Sequence, residues 1–193
     1  MMSLRSLVVG AAALTAFSVA GCSDAVAPPS QAGVYVEINS APLADTPPGR
    51  KCTILGYSAQ IGNPPPSKSS PGKRVVDGEG GASVTCKVSK SGDVFKFQGK
   101  TTHKKVSFFA SGEVTKGGAG TARVTEYDPE SLRTMGNPTD TPCVVSVADP
   151  FEVANGRIYA EFHCPAFVDI SQPDAELFCE AEVGWFVFEN CDE

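Results

Sequence analysis

The sequence predicts an all-β fold, either an antiparallel β-sandwich or a partly closed barrel, stabilised by disulfide bonds. Short runs of alternating apolar and polar residues recur after residue 33, and glycine-rich turns separate many of them. The i, i+3, i+4 spacing of an amphipathic helix is missing after residue 21, apart from one short helical turn that "DPESLRTMG" allows. Each alternating strand must bury one face, and two facing sheets achieve this without a helical layer.

The first part of the predicted domain contains one strand and two long loops. "VYVEI" at 34–38 alternates and is predicted to be the first strand. "NSAPLADTPPGRK" follows as a loop. A second loop, "GNPPPSKSSPGKR" at 62–74, contains three consecutive prolines that favour extended polyproline geometry. We interpret it as an exposed connection, the alternative being a ligand for an aromatic groove.

From residue 82 onward, alternating strands follow one another across tight turns. In "ASVTCKVSK", polar residues alternate with apolar ones that we expect on a single face: Ala82, Val84, Cys86 and Val88. "SGD" then predicts a turn, after which Phe95 and Phe97 share one face of the strand "VFKFQGK". "KVSFFASGEVT" and "TARVTEY" follow as strands, separated by the glycine-rich "KGGAG".

"FEVANGRIYAEFHC" is the clearest hairpin signal of the sequence. Asn155 and Gly156 are the residue pair preferred in a type I′ turn, which requires positive φ at both positions. In the strand that follows, alternation assigns Ile158, Ala160, Phe162 and Cys164 to the inward face and Tyr159, Glu161 and His163 to the outward face. The chain then finishes with an aromatic, strand-like segment, "ELFCEAEVGWFVFENC".

Residues 1–21 have the pattern of an export signal. Arg5 precedes an apolar or small run at 7–20, which suits the core of a signal peptide and is too short for a membrane span. The run ends in "VAGC", where the cysteine is Cys22. This ending resembles the lipobox of bacterial lipoproteins, in which an aliphatic residue and two small residues precede the lipidated cysteine.

The lipoprotein resemblance implies a lipid anchor on Cys22 and removal of residues 1–21. Residues 22–33 then form a lipidated tether, and 34–193 form a single β domain. In the lipoprotein family, serine after the cysteine favours transfer to the outer membrane, and Ser23 occupies that position. The expected location is therefore the cell envelope, with the membrane as a partner through the anchor. The alternative is that Cys22 is a buried or disulfide-bonded thiol beside an ordinary cleavage site.

Lipidation of Cys22 leaves an even number of cysteines in the mature chain. They are Cys52, Cys86, Cys143, Cys164, Cys179 and Cys191. Their wide spacing, with no C-x-x-C and no nearby histidine ligands, opposes a zinc site or a redox-active dithiol. In an exported chain we expect three disulfide bonds, although six cysteines permit 15 connectivities.

A second resemblance covers about residues 75–165. "VVDGEGGASVTC", "SGDVFKFQG" and the later strand "RIYAEFHCP" are similar to segments of the mycobacterial LpqH-type lipoprotein antigens. Four further cysteines and the aromatic C-terminal segment depart from that pattern. The resemblance implies a surface or secreted antigen without enzymatic activity, and it implies a disulfide bond between Cys86 and Cys164.

The charge of the chain and the placement of its reactive side chains oppose several functions. A formal charge of −6 argues against nucleic acid and against a polybasic contact with membranes. The two histidines, His103 and His163, form no metal-binding motif, and "DGEGG" at 77–81 lacks the alternating oxygen ligands of a calcium loop. We predict no metal and no cofactor. The motif G-x-S-x-G is also missing, which opposes a serine hydrolase.

Two groups of side chains remain as candidates for a site. The carboxylates that paired-acid hydrolysis would need are Glu161, Glu176, Glu180 and Glu182, which we interpret as a solvated outer face. Phe108 and Phe109 place two rings on opposite faces of a strand, and Trp185 lies close to Phe186 and Phe188. Outward aromatic side chains can stack on sugars or anchor a protein partner, whereas inward ones form core.

These observations lead to a ranked set of functions. The first is a non-enzymatic binding or structural module of the cell surface, which requires an exposed aromatic or apolar patch near Trp185. The second is a carrier of a small hydrophobic or lipid ligand, which requires a cavity inside the β domain. A secreted hydrolase ranks third. The partner is therefore expected to be a protein or a hydrophobic small molecule of unknown identity.

Overall fold

The computed structural model describes residues 27–42, 46–54, 57–63, 72–129, 132–172 and 177–193, and these residues form twelve β-strands and no helix. The strands are β1 Gln31–Ser40, β2 Tyr57–Ile61, β3 Val75–Val76, β4 Ser83–Ser91, β5 Val94–His103, β6 Val106–Thr115, β7 Ala119–Asp128, β8 Arg133–Gly136, β9 Cys143–Ser146, β10 Glu152–Ala154, β11 Arg157–Asp169 and β12 Phe178–Glu189. The all-β prediction is confirmed. Within the described ranges, no helix has the length and apolar character needed to cross a membrane.

The strands form a small closed barrel with extra strands beside it. Strands β4 to β7 are successive antiparallel neighbours, β8 and β9 connect β7 to β11, and β12 pairs with β11. The segment after β12 closes the ring, because the amide of Val88 donates to Asp192 (2.8 Å) and the amide of Asp192 donates to Cys86 (3.0 Å). Strands β1 and β2 extend the sheet beyond β12. The barrel alternative is therefore the one that the chain adopts.

The interior of the barrel is filled by phenylalanine rings. Phe186 lies 5.6–5.9 Å from four other ring centroids, those of Phe97, Phe108, Phe162 and Phe188. All five side chains are almost completely buried. Two glycines make room for these rings: a Cβ atom at Gly99 would collide with the Phe188 ring, and one at Gly184 would collide with the Phe162 ring. The alternation predicted for β4 and β5 is confirmed, because their inward apolar side chains contribute to this core.

Two predicted boundaries need correction. Strand β1 begins at Gln31 rather than at residue 34, because Gln31 and Ala32 pair with β3 and with the end of β12. The short helical turn allowed by "DPESLRTMG" is wrong in its last part, where Arg133–Gly136 form β8. This segment pairs with β7 on one side and with β11 on the other, and two sheet neighbours outweigh a weak local preference for a helix.

The hairpin at residues 152–169 is confirmed, but its turn is not type I′. Only Gly156 has positive φ (69°), whereas a type I′ turn requires positive φ at Asn155 as well. The turn is held from outside the hairpin, because the amide of Gly156 donates to Val88 (3.0 Å) and its carbonyl accepts from the amide of Cys191 (2.9 Å). Tyr159, predicted to point into solvent, is buried because the Phe151 ring packs against it.

The six described cysteines form three disulfide bonds, as predicted: Cys52–Cys179, Cys86–Cys191 and Cys143–Cys164. The bond between Cys86 and Cys164 that the antigen resemblance implied is wrong. Pairing of the segment after β12 with β4 brings Cys191 to Cys86, and pairing of β9 with β11 brings Cys143 to Cys164. Two of the bonds connect neighbouring segments of the barrel, and Cys52–Cys179 connects the segment after β1 to β12.

Several sequence predictions lie outside the described residues. These are the export signal, the lipid anchor on Cys22, the start of the tether at 22–26, the proline-rich part of the loop at 64–71, and Glu176.

Candidate binding face

A pair of aromatic side chains lies on the outer side of the sheet formed by β2, β1, β12 and β11. Trp185 on β12 pairs in register with Tyr35 on β1 and with Glu161 on β11. Gln60 on β2 extends the same row beyond Tyr35. Because side chains alternate across a sheet, these four residues point outward while Phe186 and Val34 point into the core. We call this outer surface, with the carboxylates described next, the aromatic face.

The two rings of the aromatic face form a flat platform. The Tyr35 and Trp185 centroids are 5.0 Å apart and the ring planes differ by 27°, so the rings are stacked. Both side chains are half-buried: Trp185 packs against the edge of the core, yet each residue keeps part of its surface in solvent. Offset stacking stabilises such a pair by roughly 1 kcal/mol beyond area burial. The platform is therefore formed before any ligand arrives.

Carboxylates and one amide border the platform. The Tyr35 hydroxyl donates to Glu37 Oε2 (3.2 Å), and burial together with the Glu37 carboxylate raises the pKa of Tyr35 above its ordinary value. The hydroxyl is thus a proton donor across the physiological range. Asn39 Nδ2 donates to Glu37 Oε1 (3.3 Å) and to Glu182 Oε2 (2.7 Å). These contacts fix the Glu37 carboxylate beside the Tyr35 ring.

Irregular pairing of β12 with both neighbours determines where the acidic side chains point. The register shifts after Glu37 in β1 and after Phe162 in β11, so Glu182 has no direct partner on either strand. Beside this bulge, His163 Nε2 lies 3.6 Å from Glu180 Oε2. A bulge re-aims side chains and recurs near functional sites. In this sheet it brings a third and a fourth carboxylate to the aromatic face.

The aromatic face is acidic and the opposite side of the barrel is basic. The described strands β1, β2, β9 and β12 contain no lysine or arginine, and β11 contains only Arg157, its first residue. Arg157 is already paired with Glu152 (3.1 Å). On the other side, the exposed cations of β4, β5 and β7 are Lys87, Lys90, Lys96, Lys100 and Arg123.

The sequence predictions for aromatic residues hold in part. Trp185 does lie outward, but its neighbours Phe186 and Phe188 are core residues. Tyr35 and Glu37 were missed as site residues. The alternation of "VYVEI" puts both on the polar side of a strand, but sequence alone does not reveal that β1 pairs with β12 in the register that places Tyr35 against Trp185.

The remaining candidates do not converge on one site. His103 ends β5, whereas His163 lies on β11, on the outer side. Residues 77–81 form a turn, and Asp77 Oδ1 accepts a hydrogen bond from the amide of Val84 (2.7 Å), so that carboxylate connects the turn to β4. Within the described residues, no group of three His, Cys, Asp or Glu side chains is arranged to hold a metal ion.

Comparison of the chain with models of protein families, with curated proteins and with solved structures finds no match. The resemblances to lipoproteins and to mycobacterial antigens therefore stay predictions.

Proposed function

We propose that this protein is a lipid-anchored, non-enzymatic binding module of the bacterial cell envelope, and that it binds its partner through the aromatic face. One observation supports the binding role above all. The Tyr35–Trp185 stack lies on the outer side of a rigid barrel, partly exposed and bordered by carboxylates that other side chains hold in place. Preformed aromatic surfaces of this kind are typical of binding hot spots.

The packing of the barrel weighs against the carrier alternative. A carrier needs an interior cavity of several hundred cubic ångströms for a lipid-sized ligand. In this barrel the interior is occupied by Phe186 and the four phenylalanine rings around it, and two glycines bring the strands close to those rings. A binding surface on the outside requires no such cavity.

The anchor part of the proposal rests on the sequence ending "VAGC" at Cys22. With a tether between that cysteine and β1, the aromatic face remains exposed to solvent while the chain is held at the membrane. A protein held in this way meets its partner at the membrane surface, where a lasting contact does not require high affinity in solution.

Photo-crosslinking in living cells tests the binding role. A photoreactive phenylalanine analogue is placed at Gln60, which is exposed and lies in the row of Tyr35 and Trp185. The same analogue at Gln98, an exposed glutamine of β5 on the other side of the barrel, is the matched control. We expect an adduct of defined mass from position 60 and none from position 98.

A second variant ties the adduct to the platform. Trp185→Ala in the Gln60-substituted protein should abolish the adduct, because it removes the larger ring of the stack. Equal adducts from positions 60 and 98, or an adduct that survives Trp185→Ala, would contradict the proposed binding face.

A further inference from the structure

We infer that the aromatic face binds a cationic protein segment, with an arginine or lysine side chain lying on the Trp185 ring between Glu161 and Glu37. This inference rests on the proposed function and names the chemistry of the partner. It follows from charge, ring geometry and side-chain contacts on the aromatic face.

Charge complementarity selects a cation. Around the Trp185 ring, Glu161 lies on the neighbouring strand on one side, and Glu37 lies two residues beyond Tyr35 on the other. Glu180 and Glu182 continue the acidic border along β12, and among the described residues the one basic side chain in contact with them is that of His163. Like charges placed this close repel one another, and a bound cation relieves that repulsion.

The rings supply the second attraction. A guanidinium or ammonium group within about 6 Å of an indole face is attracted by the ring quadrupole, and tryptophan gives the strongest effect. A planar guanidinium also stacks on an aromatic ring while its N–H groups reach carboxylates at the side. The half-buried Trp185, extended by the Tyr35 ring stacked at 5.0 Å, provides such a platform.

The side-chain contacts on the face leave one carboxylate for the ligand. Glu37 accepts from Tyr35 and Asn39, and Glu182 accepts from Asn39. Glu180 lies 3.6 Å from His163. Glu161 forms no side-chain hydrogen bond or ion pair with the described residues, is exposed, and lies directly beside Trp185 in the register. We therefore assign Glu161 as the carboxylate that pairs with the bound cation, and Glu37 as a fixed charge on the other side of the platform.

Binding of a hexa-arginine peptide, capped at both ends, tests the inference. Trp185 is the only tryptophan, so its fluorescence reports on the face directly, and titration calorimetry gives an independent affinity. The full-length protein is used in a nonionic detergent. We expect saturable binding with a change in Trp185 emission, weakened by added salt because the contacts are ionic.

Matched variants distinguish binding at a defined site from general attraction between opposite charges. Glu161→Gln should weaken peptide binding about tenfold, which corresponds to the loss of one close charge contact. Glu113→Gln removes an equal charge from an exposed position on β6 and should change affinity less than about twofold at moderate salt, where distant charges are screened.

Every other result overturns the inference in a distinguishable way. Equal weakening by Glu161→Gln and Glu113→Gln means charge attraction without a site, and no peptide binding means that the partner is not cationic. If maltohexaose binds with a change in Trp185 emission and hexa-arginine does not, the aromatic face is a binding surface for a neutral glycan, and only the cationic inference fails. Self-association abolished by either Trp185→Ala or Lys100→Gln would instead identify a second copy of this chain as the occupant.

Discussion

Tyr159 illustrates how one side chain can depart from the pattern of its strand. Alternation along β11 predicts an outward tyrosine, but the ring is 3% exposed because Phe151 packs against it edge to face, with centroids 4.9 Å apart. Its hydroxyl has no hydrogen-bond partner among the described residues. A buried hydroxyl without a partner costs about 1–3 kcal/mol, so this residue contributes ring packing and loses part of that gain through its oxygen.

Replacing Tyr159 by phenylalanine should therefore stabilise the protein, by roughly 1 kcal/mol at neutral pH. Burial raises the pKa of Tyr159 more than the nearby Arg74 lowers it, so the unfolded chain loses this proton at a lower pH than the native protein. The wild type accordingly loses stability as pH rises above about 10, the ordinary pKa of tyrosine. The Tyr159→Phe variant has no hydroxyl to titrate at this position, so it does not lose stability in this way.

Urea unfolding of both proteins between pH 7 and pH 11 measures this effect. The advantage of Tyr159→Phe should widen above pH 10, and the difference between the two curves removes the contributions of other titrating groups. A variant less stable than the wild type at every pH would show that the hydroxyl has a partner after all.

Strand β12 connects the core and the aromatic face. Its inward residue Phe186 contacts four other rings, while Trp185 immediately before it stacks on Tyr35 on the outer side. Gly184 completes this arrangement, because any side chain there would meet the Phe162 ring. The position of Trp185 on the surface therefore depends on close packing directly beneath the same strand.

We expect Gly184→Ala to lower the free energy of unfolding by about 1–3 kcal/mol, the usual cost of overpacking a filled core. Gly118→Ala is the control, since a Cβ there meets only the exposed Thr115 hydroxyl at 2.5 Å, which can rotate away. Denaturant unfolding followed by far-UV circular dichroism compares the two. Equal losses in both variants would indicate that the Phe162 ring can move aside at little cost.

The pattern of residues along one strand predicts the strands of this fold better than it predicts which segments contact each other. The alternation of residues 82–97 correctly predicts which side chains of β4 and β5 enter the core, because a period of two is a property of one strand alone. The type I′ turn and the outward Tyr159 fail because each depends on contacts from elsewhere in the chain, with Val88 and Cys191 for the turn and Phe151 for the ring. For the same reason Trp185 could be singled out from the sequence, whereas its partner Tyr35, 150 positions earlier, could not.

For the whole molecule, closure of the barrel depends on a short segment at the end of β12. Residues 191 and 192 bond to β4 through two backbone hydrogen bonds and the Cys86–Cys191 disulfide, and the amide of Cys191 also bonds to the turn at Gly156. The other long-range bond, Cys52–Cys179, links the region after β1 to the start of β12. These two bonds cross-link the region after β1 to β12, and β4 to the segment that follows β12.

The disulfides should differ in what they stabilise. With the other bonds intact, Cys86–Cys191 closes an effective loop of roughly 45 residues, for which the chain-entropy model gives about 4 kcal/mol. Cys143–Cys164 spans 21 residues, for which the same model gives about 3 kcal/mol. The two stabilisation energies differ by only about 1 kcal/mol. The two disulfides are therefore better distinguished by the part of the barrel that each one holds.

Hydrogen exchange detects that difference in location. In the double variant Cys86→Ala/Cys191→Ala, the amides of Val88 and Asp192 should exchange much faster, because the closing segment is then held to β4 by hydrogen bonds alone. In Cys143→Ala/Cys164→Ala the same two amides should keep wild-type protection, since β9 and the part of β11 around Cys164 pair with each other and not with the closing segment. Unchanged exchange at Val88 and Asp192 in the first variant would mean that backbone pairing closes the barrel without help. In that case the Cys86–Cys191 bond would act only by restricting the unfolded chain.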